Sequence, residues 1–281
     1  MQADILRVPV GPGAMHVERF GHGGTAVILI HGFATSSFLW RHVAPAITGA
    51  GHTAYALDLL GHGESDRPAD ADFGIAAQAE YLDAAMTVLR VARGIIVGVD
   101  IGGDIALRLA AKRPERVEKL VLINTPAFEE LPAKDITQMQ RSTAKFAFRT
   151  TRGILGAAPL VEQVLKGSVA DPDSHMPVKL IAQYLAPFVG RDGVSHLLTL
   201  ASSITADDME DVDLSSIHVP TLVLWGEQDG WVDQKVADKL INVLPDGRLV
   251  RMPGVGRLLP EENPDQLNQL LLEFMRRRAA A

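Results

Sequence analysis

The chain of 281 residues contains no cysteine. Disulfide bonds, thiolate metal sites and a cysteine nucleophile are therefore excluded, in agreement with a reducing compartment. The chain also lacks a basic excess: 27 lysines and arginines stand against 34 acidic residues, which gives a net charge of −7. A chain of this charge binds a phosphate backbone or an anionic membrane poorly, so we expect neither nucleic acid nor membrane as a partner.

Long apolar runs are missing as well. No stretch of 18 apolar residues occurs, and the first twenty residues lack a basic segment followed by an apolar one. These features predict a soluble, cytoplasmic protein. The sequence shows no glycine-rich phosphate loop and no His/Asp cluster at metal-ligand spacing, so we expect no metal and no organic cofactor. No feature indicates an oligomeric state.

The sequence does contain short apolar runs that alternate with segments of helical period. This alternation is typical of an α/β protein with a mostly parallel sheet and helices on its faces. Composition, with 47% hydrophobic residues, favours one compact body. The six predicted strands are Thr25–Gly32, His52–Asp58, Gly94–Asp100, Glu118–Asn124, Thr221–Glu227 and Gly247–Pro253.

The alternation stops between Phe128 and Ile217, where Met, Phe and Leu recur at helical spacing and no convincing strand is found. We interpret residues 128–217 as a helical cap inserted over one end of the sheet. Residues 1–127 and 218–281 would then form the core domain. A pocket is expected between the cap and the carboxyl ends of the strands.

The stretch Val97-Gly98-Val99-Asp100-Ile101-Gly102 follows a predicted strand and precedes a predicted helix. In this context the pattern Gly-x-Asp-x-Gly indicates a sharp strand-to-helix turn with residue 100 at its apex. The Asp100 side chain would point into the cleft, near the positive end of the helix. A carboxylate there can attack carbon and form an ester. An aspartate at this position can also simply cap the helix.

Four further segments decide between these interpretations. Together with the Asp100 turn, they resemble the α/β-hydrolase family in order and spacing over nearly the whole chain: His31–Trp40, Asp58–Pro68, Pro220–Asp233 and Pro253–Phe274. The resemblance implies an eight-stranded sheet with a helical cap after the sixth strand. An aspartate at the turn is similar to haloalkane and haloacetate dehalogenases and to epoxide hydrolases. In those relatives the carboxylate attacks carbon, and a water activated by histidine cleaves the ester.

The resemblance also implies roles for individual residues. The backbone amides of Phe33 and Ile101 would form an oxyanion hole, and Asp229 would orient the catalytic histidine. A small, mainly apolar substrate would lie in the pocket, and the residues expected to line it are Phe38, Met139 and Trp231. Three other residues of the matching segments, His31, Asp58 and His62, are expected to shape loops and to carry no chemistry.

The sequence departs from the family at residue 257, where Gly-x-Gly-His is replaced by Gly254-Val255-Gly256-Arg257. Arginine stays protonated in proteins and cannot take a proton from water. It can pair with carboxylates, so we predict a charge-assisted hydrogen bond of about 2.7–2.9 Å from Arg257, preferably to Asp229, with Asp100 as the second partner. Such pairing would lower the pKa of the carboxylate. Asp100, Asp229 and Arg257 are therefore the predicted catalytic residues.

Three functions fit this departure. The first is a hydrolase in which Asp100 is nucleophile or general base and another residue, such as His175 or His196, replaces the missing base. The second is a non-hydrolytic enzyme of the same fold, such as a lyase, cyclase or decarboxylase. The third is a non-catalytic protein that binds a small molecule.

Overall fold

The computed structural model describes residues 2–141, 156–190 and 192–277. Its centre is an eight-stranded sheet in the order β1-β2-β4-β3-β5-β6-β7-β8. The strands are Asp4–Pro9 (β1), Ala14–Phe20 (β2), Ala26–Ile30 (β3), Thr53–Leu57 (β4), Gly94–Val99 (β5), Val117–Ile123 (β6), Thr221–Gly226 (β7) and Gly247–Met252 (β8). All pairs from β4 to β8 are parallel, which confirms the predicted fold class.

The central strands are continuous apolar runs because both of their faces are covered. Every residue of β4, β5 and β7 is buried. The helices that flank the sheet are Ala44–Gly49 (α1), Ile75–Val88 (α2), Ile101–Lys112 (α3), Lys134–Gln140 (α4), Ala158–Gly167 (α5), Pro172–His175 (α6), Val178–Leu185 (α7), Gly193–Ser203 (α8), Lys235–Val243 (α9), Leu259–Glu262 (α10) and Pro264–Arg276 (α11). Short 3₁₀ turns span Ser37–Trp40, Pro114–Arg116, Phe128–Glu130, Ala186–Phe188, Ala206–Met209 and Leu214–Ser216.

The six predicted strands correspond to β3 to β8, and the first two strands were not found by their pattern. The strands β1 and β2 form an antiparallel pair at one edge of the sheet. In β2 buried residues alternate with half-buried ones, whereas β1 is mostly exposed. An edge strand needs only one apolar face, so charged residues such as Arg7 and Arg19 interrupt the run that identifies a central strand.

The segment predicted as a cap contains helices α4 to α8 and, within the residues that the structure describes, no strand. Its exact division from the core remains a prediction. No helix of the described chain is long and apolar enough to cross a membrane.

The topology brings the candidate functional residues to one edge of the sheet. Strands β3 and β5 are neighbours although β4 lies between them in sequence. The loops after β3 and β5 therefore meet at the carboxyl ends of the strands, which is where parallel sheets place their ligand sites. The loops after β7 and β8 lie at the same edge.

Candidate active site

Asp100 occupies the turn between β5 and α3 in a backbone conformation that is unusual for a residue with a side chain. Its φ is 53° and its ψ is −131°. Such a conformation costs free energy and persists only where surrounding packing enforces it. The Asp100 side chain makes no capping hydrogen bond to α3, so helix capping does not explain this residue. The carboxylate is only 2% exposed.

Glycines around this turn allow the loops to approach each other. A Cβ atom at Gly32 would lie 2.9 Å from Asp100 Oδ2, and one at Gly102 would lie 2.5 Å from the carbonyl oxygen of His31. Because Gly32 and Gly102 have no Cβ atom, the loops come close enough for the Phe33 amide to donate to Asp100 Oδ2 at 2.9 Å. The predicted oxyanion-hole amide of Phe33 therefore holds one oxygen of Asp100 itself.

The second predicted oxyanion-hole residue, Ile101, is the first residue of α3. Its amide belongs to the first turn, whose N–H groups have no acceptor within the helix. The role of Ile101 stays a prediction.

Arg257 lies in the loop after β8, and the helical segment fixes that loop. The Arg257 amide donates to the carbonyl oxygen of Ser168 at 2.7 Å. The neighbouring Gly256 amide donates to Glu262 Oε2 at 2.8 Å. These backbone contacts point the Arg257 side chain into the protein, where it is 2% exposed.

The Arg257 guanidinium contacts three buried carboxylates. Nη1 lies 3.0 Å from Asp100 Oδ1 and 3.3 Å from Asp135 Oδ2, and Nε lies 3.3 Å from Asp229 Oδ2. We call these four residues the Arg257 cluster. The predicted preference for Asp229 is wrong, because the shortest contact is with Asp100. The Arg257–Asp229 distance also exceeds the predicted 2.7–2.9 Å, since one guanidinium is shared among three acceptors.

Asp135 is the member of the cluster that sequence reasoning missed. It lies in the first turn of α4, four residues before Met139, which was predicted to line the pocket. Residues four apart share one face of a helix. The position of Met139 was therefore a signal that could have identified Asp135.

The predicted lowering of the Asp100 pKa is also wrong. Burial raises the pKa of Asp100 to about 6, the Arg257 charge opposes this rise, and Asp135 adds to it. Burial raises the pKa of Asp135 as well, again against the effect of Arg257. The Arg257 guanidinium does not offset the loss of water around Asp100 and Asp135.

Two polar atoms of the cluster are buried without a partner among the described residues: Arg257 Nη2 and Asp135 Oδ1. One is a donor and the other an acceptor. Buried polar groups are rarely left unpaired, and such a pair indicates capacity for a water or a ligand.

Asp229 is held in place mainly by the backbone. Its Oδ1 accepts from the Trp231 amide at 2.8 Å, and its Oδ2 accepts from Asn124 Nδ2 at 3.1 Å. Asn124 follows β6 and also binds the backbone of Gly226 through both side-chain atoms. Asn124 was not predicted, although a polar residue at the end of a buried strand was the available signal.

A cavity of about 160 Å³ lies beside the cluster, and its lining contains two of the three predicted pocket residues, Met139 and Trp231. The third, Phe38, packs elsewhere, 5.7 Å from the Tyr184 ring and beneath Arg41. Asp135 is part of the cavity lining. Asp135 also shares Arg257 Nη1 with Asp100. It therefore lies between the cavity and the turn that carries Asp100.

The proposed replacement bases are not in this cluster. His196 Nε2 lies 2.6 Å from the carbonyl oxygen of Gly61, and His175 ends the short helix α6. In the part of the chain that the structure describes, no hydrogen bond or ion pair joins either histidine to the Arg257 cluster. His31 binds backbone atoms of Gly32 and Leu59, in agreement with a loop-shaping role.

Metal binding is not favoured by this arrangement. Within residues 2–141, 156–190 and 192–277, no group of three or more His, Asp and Glu side chains has the geometry of a metal site. The three carboxylates of the cluster surround a guanidinium, which occupies the place where a cation would bind.

Curated relatives resemble the chain over nearly its full length. A 2-hydroxy-6-oxononadienedioate/2-hydroxy-6-oxononatrienedioate hydrolase of Burkholderia vietnamiensis is 28% identical over 275 residues, covering 94% of this chain and 91% of that protein. A haloalkane dehalogenase of Mesorhizobium japonicum is 27% identical, with coverage of 96% and 90%. Epoxide hydrolase 3 of Mus musculus is 26% identical, with coverage of 96% and 77%.

A solved structure, epoxide hydrolase CorEH without ligand, superposes with a TM-score of 0.83 at 18% identity, covering 98% of this chain and 99% of that one. At this identity the likeness shows the fold alone. The family described as the alpha/beta hydrolase fold matches residues 25–264. The sheet order, the turn at Asp100 and this match lead to one conclusion: the chain belongs to the α/β-hydrolase fold family.

Proposed function

We propose that this protein is a hydrolase-type enzyme in which Asp100 attacks an electrophilic carbon of a small, mainly apolar substrate. The electrophile is of the carbon–halogen, epoxide or ester type. The observation that carries the proposal is the placement of Asp100 at the strand-to-helix turn, with the Phe33 amide on one of its oxygens. A carboxylate at this position is similar to that of dehalogenases and epoxide hydrolases. The chemistry expected from this similarity is attack of the carboxylate on carbon.

Charge supports a nucleophilic role for Asp100. Above its pKa of about 6, the carboxylate is an anion held in a site that excludes most water. The Phe33 amide fixes Oδ2, so Oδ1 is the oxygen that attacks. An ester forms on Asp100 as halide leaves, or as the epoxide ring opens and its oxygen takes a proton from water. The Phe33 amide then supports the oxyanion that develops on Oδ2 during ester cleavage.

Arg257 changes how the second half of this reaction, cleavage of the ester, can proceed. It stays protonated beside three carboxylates and accepts no proton from water, unlike the histidine that the family places at this point. Ester cleavage therefore needs another proton acceptor. The small cavity next to Asp135, with Met139 and Trp231 in its lining, supports a substrate of few atoms.

The proposal predicts covalent labelling of Asp100. Incubation with 1-bromobutane, bromoacetate or 1,2-epoxybutane is expected to add one alkyl group, which intact-protein mass spectrometry detects and peptide mapping places on Asp100. In H₂¹⁸O, ester cleavage at the acyl carbon would carry ¹⁸O into the Asp100 carboxylate. Asp100→Asn is expected to abolish labelling, because a neutral amide is a poor nucleophile.

Asp104→Asn is the matched control. Asp104 is a second buried aspartate one helical turn from Asp100, it has no contact with Arg257 in the described chain, and burial raises its pKa well above the usual value. This variant should be labelled like the parent. If no reagent labels Asp100 in the parent protein, the nucleophile proposal is wrong.

A second candidate is favoured by the raised pKa values of Asp100 and Asp135. Two buried carboxyl groups with raised pKa values can donate and accept protons for a lyase, cyclase or decarboxylase without an ester. Turnover of a small molecule with no label and no ¹⁸O in Asp100 would favour this function. Binding without any turnover would favour a non-catalytic role.

A further inference from the structure

We infer that Asp135 is the general base that replaces the family's histidine, and that it activates water for cleavage of the Asp100 ester. This inference rests on the proposed function, because it concerns the step after the ester has formed. It assigns a catalytic task to a residue of helix α4 that no sequence motif indicates.

The first argument is position. Asp135 Oδ2 and Asp100 Oδ1 bind the same nitrogen of Arg257, at 3.3 and 3.0 Å. Two atoms that share one partner at these distances lie close enough for a single water to reach both carboxyl groups. Asp135 also belongs to the cavity lining, so water that enters the cavity meets it.

The second argument is free hydrogen-bonding capacity. Among the described residues, Asp135 Oδ1 accepts no hydrogen bond and Arg257 Nη2 donates none, although both atoms are buried. A water can donate to the first and accept from the second. Such a water keeps a lone pair available for attack, and its proton points at a carboxylate.

The third argument is charge. Burial raises the pKa of Asp135, which makes it a stronger base than an exposed carboxylate, while Arg257 limits that rise and keeps the anion available. Among the residues that the structure describes, the charged groups that face Asp135 are Arg257, Asp100 and Asp229. Once Asp100 is esterified it is neutral, so Arg257 is left with two carboxylates instead of three.

The step balances without an added reactant. Water oxygen attacks Cγ of the esterified Asp100, and the water proton passes to Asp135 Oδ1. The oxyanion on Oδ2 is held by the Phe33 amide. The bond from Cγ to the alkylated oxygen then breaks, and the departing alkoxide takes the proton from Asp135. Alcohol is released, Asp135 is again a carboxylate, and Asp100 is left as a carboxylic acid with one oxygen derived from water. Asp100 returns to the carboxylate by releasing the second water proton to solvent.

The test measures decay of the butyl ester after labelling with 1-bromobutane and removal of excess reagent. In the parent protein, the decay rate should rise with pH as one group ionises. In Asp135→Asn the ester should still form, but it should decay about 100-fold or more slowly, since general-base help is worth typically 10²–10⁴-fold. Asp135→Glu keeps the carboxylate and should restore part of the decay.

Asp229→Asn is the comparison variant and not an unchanged control: it also removes one carboxylate from Arg257 but has no part in the cavity lining, so its ester should be slowed less than that of Asp135→Asn. Its ester should still decay with the pH step of the parent. Equal slowing in Asp229→Asn and Asp135→Asn would overturn the inference, because charge on Arg257 would then explain both. A labelled Asp135→Asn that decays like the parent would also overturn it.

If Asp135→Asn does not fold, two other results still test the role of Asp135. A parent ester whose decay rate is flat over the whole range from about pH 3 to about pH 9 would contradict a carboxylate base. Failure of every variant to form an ester would instead refute the nucleophile itself, and the base with it. Labelling therefore tests the proposed function, and ester decay tests Asp135.

Discussion

Asp58 and Asp100 are two buried aspartates that follow strands on either side of β3 in the same sheet, and their surroundings differ. Asp58 comes directly after β4 and accepts from the amides of Ser37 at 2.5 Å and Glu64 at 2.8 Å. Asp100 comes directly after β5 and has one backbone donor, Phe33. Its other oxygen depends on the Arg257 side chain, which it shares with two further carboxylates.

The difference separates a structural carboxylate from a reactive one. Backbone amides bind both oxygens of Asp58, so this side chain ties two loops together and has no oxygen left for a reaction. Asp100 instead gives one oxygen to the Arg257 side chain, in a cluster that has unpaired donor and acceptor atoms among the described residues. Fully satisfied buried groups stabilise a fold, whereas partly satisfied ones are typical of sites that bind or react.

Removal of the shared cation should have the largest effect on stability. Arg257→Leu leaves three buried carboxylates without their partner and is expected to lower the free energy of unfolding by about 3–5 kcal/mol at pH 7.5. The loss should be smaller at pH 5, because the carboxylates then take up protons. Urea unfolding at both pH values measures this.

The control for this variant is Arg248→Leu in β8, whose partner Glu273 lies 3.2 Å away at the surface. An exposed pair of this kind contributes about 0–1 kcal/mol. If Arg257→Leu unfolds at the same urea concentration as the control, the cluster does not depend on its cation.

Loss of the structural carboxylate should have the next largest effect. Asp58→Ala removes the acceptor of two buried amides and is expected to cost about 2–3 kcal/mol in free energy of unfolding. Asp171→Ala removes an exposed carboxylate that accepts from the Ser174 amide at 3.3 Å, and it should cost about 1 kcal/mol or less. If urea unfolding shows the same loss of free energy for both variants, burial of the two amides at Asp58 does not add to stability.

The last expected effect is a pH dependence specific to Asp100, which is spread over about two pH units and is therefore small at any one pH step. Its pKa is raised from an unfolded value near 4 to about 6, so the folded state binds the proton more tightly. The free energy of unfolding of the parent, relative to Asp100→Asn, should therefore fall as pH rises from about 4 to about 6, by up to about 3 kcal/mol, and level off above. Urea unfolding at pH 4.5, 5.5, 6.5 and 7.5 measures this difference.

A difference that instead grows with pH would mean that Arg257 outweighs burial and lowers the pKa of Asp100. That outcome would restore the expectation drawn from the sequence. The same titration in Arg257→Leu would then show whether the guanidinium is the cause.

Much of the fold could be predicted because the relevant signals are local. Strands β3 to β8 are apolar runs, and the Gly-x-Asp-x-Gly spacing places Asp100 at a turn. The edge strands β1 and β2 escaped detection, since one apolar face alternates with charged residues. Phe38 was expected in the pocket but packs against Tyr184, because aromatic residues after the same strand can turn to either side of a loop.

The candidate site was predicted less completely. Asp100, Asp229 and Arg257 were identified because each matches a position in a recognised segment. Asp135 was missed, since it lies in a helix of the inserted segment, where no motif marks it. The sign of the Asp100 pKa shift was wrong as well, because sequence shows the partner of opposite charge but not how many carboxylates share it or how much water is excluded.

The sequence by itself determined the order of strands and helices, the aspartate at the turn and the arginine in place of histidine. These follow from local patterns that need no knowledge of distant contacts. Only the tertiary structure decided that Arg257 faces three carboxylates, that Asp100 is its nearest partner and that Asp135 lies between cavity and turn. Residues 100, 135, 229 and 257 meet only after four separate segments converge at one edge of the sheet, and burial there raises the pKa values of Asp100 and Asp135.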